Sequence, residues 1–195
     1  MYALIESGSI TKYFNNPKGF TLGDLQYPAD IFTKWSVEEK EAIGIYEIVF
    51  DDSNKKNSQW YNNTDQTFSF ADNTVTASYG TATPIPHADV TKTDEDGVET
   101  IIPGLKTNLI KNLKVNVANE LAKTDWYVTR NIEKSIAIPS AISTHRDAVR
   151  TKQASMETAI TNAADTAALE TLHTYTEDAD GVQSRPLGEL PILEL

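Results

Sequence analysis

The chain has 195 residues, enough for one large or two small domains with a real core. It is acidic, with 17 Lys and Arg against 28 Asp and Glu, and it lacks the basic clusters that displace counterions from a phosphate backbone, so no nucleic-acid partner is expected. Cysteine is absent, which removes disulfides, thiolate nucleophiles and Cys-based metal sites; neither a signal peptide nor a membrane-spanning segment is expected from the pattern.

Residues 1–80 read as an N-terminal β-rich domain. Tyr2 to Ile5 and Ser9 to Phe14 flank Ser7-Gly8, the signature of a hairpin. Asn15 to Gly19 is loop. Ser36 precedes Glu39 by three residues, a capping box that predicts a short helix ending at Gly44, with Trp35 placed to staple onto Lys40 or Ile43. Ile45 to Phe50 follows as a strand. Ser58 to Tyr61, Gln66 to Ala71 and Thr74 to Tyr79 read as further strands, the last two joined by an Asp72-Asn73 turn.

Residues 81–103 read as a connector. Its stiff start is Pro84-Ile-Pro86, and an acidic hairpin turns at Asp94-Glu-Asp-Gly97. From 104 to 175 the period becomes helical. Leu105, Leu109, Leu113, Val117 and Leu121 share one arc, and Lys123-Thr-Asp125 breaks it. A second helix, Ser140 to Ala163, carries Ile142, His145, Val149, Met156, Ile160 and Ala163 on one stripe. A third, Thr166 to Tyr175, is capped by Asp165. Residues 176–195 read as an extended tail. Pro186 and Pro191 resist helix there, and Leu187, Leu190, Ile192, Leu193 and Leu195 suggest a docking peptide for a neighbour, the alternative being that the tail folds back onto its own helices. The fold class expected is α+β: a mixed β domain, a helical hairpin module and an extended tail.

No catalytic, metal or cofactor site is expected. His87, His145 and His173 have no ligand spacing, and His145 on an apolar stripe reads as a satisfied core histidine. No nucleophile elbow or phosphate loop occurs. Asp94/Asp96/Gly97/Glu99 and Asp178/Asp180/Gly181 share features with calcium loops, but both lack the distant bidentate Glu and equally suit exposed turns. Trp35, Trp60, Tyr61, Phe68, Phe70 and Tyr79 are either β core or a glycan-binding platform.

The most unusual segment is Thr124-Asp-Trp-Tyr-Val-Thr-Arg130, where Trp126 is expected to plug the core between two helices. Arg146 and Arg150 lie four apart on one helix face, with Asp125, Glu133 and Trp126 as candidate partners. Leu121 to Arg130, then Ile138-Pro139, Arg146 to Arg150 and Met156 to Ile160 together resemble the C-terminal helical module of tail-fibre assembly or tail-associated virion proteins of tailed bacteriophages. Met1 to Ile5 with Leu22-Gly-Asp-Leu25 resembles their small N-terminal domain, while residues 58–103 depart from the pattern. The resemblance implies a non-enzymatic structural or assembly protein of a phage tail, baseplate or fibre. It would bind other tail proteins in several copies, in the virion tail and, during assembly, in the host cytoplasm. A transient fibre-assembly chaperone and a carbohydrate-binding tail module are the alternatives.

Overall fold

The computed structural model describes residues 1–16 and 18–193; it is a mixed α+β protein that divides into two compact units, Met1–Thr83 and Pro84–Leu195. The division falls just past the expected boundary at 80. Pro84 and the rest of the connector belong with the helices.

The first unit is built on a five-stranded sheet ordered β2-β1-β5-β8-β7. β1 (Tyr2–Glu6) and β2 (Ser9–Phe14) form the expected hairpin, with Ser7 and Gly8 both at positive φ. Such a turn matches the twist of the strands it joins. β3 (Phe20–Leu22) and β4 (Leu25–Tyr27) make a second small hairpin. α1 (Ile31–Lys34) and α2 (Val37–Glu41) follow, and the Ser36–Glu39 capping box that starts α2 is present on both sides. β5 (Ile45–Asp51) pairs antiparallel with β1. β6 (Tyr61–Asn62) is two residues long. β7 (Gln66–Ala71) and β8 (Thr74–Tyr79) are joined by Asp72 and Asn73, again both at positive φ. β9 (Thr83–Pro84) lies at the unit boundary.

β8 lies parallel to β5, with Ile48 opposite Val75. Side chains alternate along a strand, so this sheet buries two separate clusters. Leu4 and Ile45 point to one face, where Phe14, Phe20, Ile31 and Phe32 complete a core. Its rings are in contact: Phe14 lies 4.8 Å from Phe20 and 5.2 Å from Phe32. Ala3, Ile48, Val75 and Ala77 point to the other face, with Phe68 and Phe70 against them. There the sheet curls until its two edge strands meet, Tyr13 on β2 lying 4.8 Å from Phe68 on β7.

The second unit opens with β10 (Val90–Thr93) and β11 (Glu99–Ile102), the expected acidic hairpin. Its helices are α3 (Leu105–Ala122), α4 (Asp125–Lys134), α5 (Ser140–Asn162) and α6 (Thr166–His173). α3 and α5 form a helical hairpin that buries Leu113, Val117, Ile142, Val149, Met156 and Ile160. Asp165 caps α6 as expected, accepting from the amide of Ala168 at 2.8 Å. Thr166 Oγ1 donates to the Ile85 carbonyl at 2.7 Å, and the Leu105 amide to that of Pro86, so the Pro-rich connector is fastened to the helices.

Residues 176–193 do not form the extended docking peptide that their prolines and leucines suggested. β12 (Thr176–Glu177) and β13 (Gln183–Ser184) form a third small hairpin. The chain then folds back, and the Leu187 amide donates to the Leu172 carbonyl on α6. Leu187 is buried and lines one cavity together with Leu113, Met156 and Ile160. The apolar cleft between α3 and α5 is nearer than any partner, and burying a leucine there removes its surface from water at once. Leu190 and Leu193 are half-buried, Ile192 is exposed, and Leu195 lies outside the described residues.

Candidate protein-binding site

The turn between α3 and α4 is locked by Arg146, which reaches across from α5. Its Nη1 lies 2.9 Å from the Leu121 carbonyl, 2.7 Å from Thr124 Oγ1 and 2.9 Å from an Asp125 carboxylate oxygen. The Leu121 carbonyl is one of those that a helix end leaves without an intrahelical partner. A guanidinium is suited to such a place because it stays charged and donates in several directions. Thr124 is buried and its hydroxyl donates to the same Leu121 carbonyl at 3.0 Å. Asp125 is therefore the partner of Arg146. Arg150, one turn on, is exposed and among the described residues reaches only Asp147, at 3.3 Å.

One residue before this lock on each helix, buried His145 places Nε2 3.2 Å from Glu120 Oε1, as expected of a satisfied core histidine. Glu120 also accepts from Lys123, and this bond, more than His145, holds its carboxyl below the usual range. His173 at the end of α6 bonds the Leu169 carbonyl, and burial pushes its pKa down.

Trp126 is not in the core. Its side chain is half exposed, and the residue the turn buries is Thr124. Helix α4 begins at Asp125, so Trp126 stands 200° around from Thr124 and faces outward. There it stacks on Tyr127 with ring centroids 3.7 Å apart, and the Arg130 guanidinium lies 6.0 Å from the indole. α4 is amphipathic, yet none of its residues is buried, and Ile132 is 77% exposed. A helix with a segregated apolar side that its own core does not use presents that side outward.

The other candidate groups do not converge. Asp94 Oδ1 accepts from the amides of Asp96 and Val98, and Asp178 Oδ1 from those of Asp180 and Val182. The two Asp-x-Asp-Gly-Val fragments fold as the same side-chain-supported turn. Among the described residues no group of three His, Asp or Glu side chains is placed to hold a metal. Trp60 is buried, and Phe68 and Phe70 pack on the inner cluster of the sheet; the β aromatics make no shared exposed platform. No described helix is long and apolar enough to cross a membrane.

In comparisons with known proteins, no family model, curated protein or solved structure matches the chain.

Proposed function

We propose that the chain is a structural or assembly protein of a bacteriophage tail, associated with baseplate or fibre, and that it acts by binding other proteins. The observation that carries the binding reading is α4. Trp126, Tyr127 and Arg130 stand together on a helix that contributes nothing to the buried core. Trp, Tyr and Arg are the residue types that dominate binding energy at protein interfaces. The tail assignment draws on the resemblance of Leu121 to Ile160 to tail-associated proteins.

Mass spectrometry of purified particles carrying the chain tests this reading. The chain should be recovered in fixed proportion to the tail proteins. Recovery from the lysate but not from particles would favour a transient assembly chaperone. Trp126→Ala together with Arg130→Ala should leave the protein folded and remove it from particles. Normal incorporation of this variant would exclude α4 as the binding surface.

A further inference from the structure

A second surface of the same unit meets its complement elsewhere on the chain. Thr107, Ile110, Lys111, Lys114, Val115 and Ala118 form one strip on the outer side of α3. Val115 is 52% exposed there. Lys111 has no ion pair or hydrogen bond among the described residues, and Lys114 is only 3.8 Å from Glu157. An apolar strip flanked by cations is unusual on a chain of net charge -11.

The β10–β11 hairpin has the opposite character. All eight strand residues are exposed, and an isolated two-stranded hairpin is marginal in water. Its tip carries Asp94, Glu95 and Asp96, with Val98 57% exposed beside them. Asp94 is occupied by its own turn, whereas the Glu95 and Asp96 carboxylates have no partner among the described residues.

We propose that the acidic hairpin of one molecule docks on the α3 strip of a second copy. Glu95 and Asp96 would face Lys111 and Lys114, and Val98 would cover Ile110 and Val115. The hairpin leaves its own strip uncovered, since its strand residues and Val115 are all exposed, while its base is clamped at the start of α3. Asp89 Oδ1 accepts from the Gly104 amide at 2.8 Å and from Thr107 Oγ1 at 2.6 Å. The Lys106 amide donates to the His87 carbonyl in the same clamp. The contact joins two different patches, so it closes as a reciprocal two-fold pair or repeats head-to-tail as a ring or an open string. It names a partner for the protein-binding reading above and rests on that reading.

Sedimentation equilibrium of the full chain at low ionic strength tests it. Self-association is expected, and it should weaken as salt screens the facing charges. Lys111→Glu should weaken it by about tenfold or more, as should Glu95→Lys with Asp96→Lys. Mixing these two variants should restore association between them. All three replaced side chains are exposed, and thermal melts like that of the unchanged chain would confirm that both variants are folded. A monomer at all concentrations, or a Lys111→Glu chain that associates normally, overturns the contact. A monomeric chain still recovered in particles would sink this contact alone. Charge-swapped association by a chain absent from particles would leave the contact standing and sink the tail assignment.

Discussion

The two units spend their apolar residues differently. Of the sixteen large hydrophobic residues exposed among those described, five lie in Met1–Thr83 and eleven in Pro84–Leu195. The first unit buries both faces of its sheet, and its aromatic rings mostly touch one another. The second unit holds itself together with one seam between α3 and α5, closed by Leu187 and an arginine lock. It leaves Trp126, Ile132, Val115 and the hairpin valines outside. The first keeps most of its large apolar side chains inside, and the second leaves more of them exposed.

The sharpest way to break that comparison is in the first unit's core. Phe32→Ala should cost ~3–5 kcal/mol in urea denaturation, since it empties the centre of the aromatic cluster. A loss below ~1 kcal/mol would mean that this core is not what holds the unit. Next in size is Arg146→Ala, with an expected cost of about 2–3 kcal/mol, because the Leu121 carbonyl and Thr124 hydroxyl lose a charged donor in a mostly buried turn. Thr124→Val in the same assay should cost less, since the guanidinium keeps the carbonyl and Asp125.

A smaller effect concerns acid. The pKa of His173 is depressed in the folded protein, so the unfolded chain binds its proton first. Its contribution is complete above the ordinary histidine pKa of about 6.5 and is lost as pH falls through the lower folded value. Melting curves between pH 7 and pH 5 should therefore decline less steeply in His173→Gln than in the unchanged protein, and equal slopes would remove His173 from the account. The smallest expected change is Trp126→Ala, at most ~1 kcal/mol for a half-exposed side chain. A loss of several kcal/mol would return Trp126 to the core and erase the contrast between the units.

Much of this was legible where a residue type has one conformational use. Ser7-Gly8 and Asp72-Asn73 announced positive-φ turns, Ser36 and Glu39 a capping box, and Asp165 a cap. α3 followed from the four-residue spacing of its leucines and Val117, and α5 from an apolar stripe at spacings of three, four and seven. Elements of three or four residues did not show: β3, β4 and α1 are too short to display a period. The parallel placement of β8 beside β5 is a matter of topology, which local pattern does not carry. α4 was hidden for another reason. Reading Lys123-Thr-Asp125 as a simple break left the phase of Trp126 undefined, and only a helix restarting at Asp125 turns it outward. The tail was misjudged by counting leucines without a place for them. The space between α3 and α5 that receives Leu187 is made by residues seventy positions earlier as well as by its neighbours.

The clamp beneath the acidic hairpin has a consequence for how this protein can change. A Cβ on Gly104 would come within 2.3 Å of the Ala88 carbonyl oxygen, and Asp89 binds both Gly104 and Thr107. The two feet of the arm are thereby fixed to each other and to the helix. Above them, nothing in the strands is buried. Insertions at the tip add only a slowly growing entropic cost of loop closure. The fold of the helices beneath therefore sets little limit on the length of the arm, which can grow at its tip without disturbing the clamp.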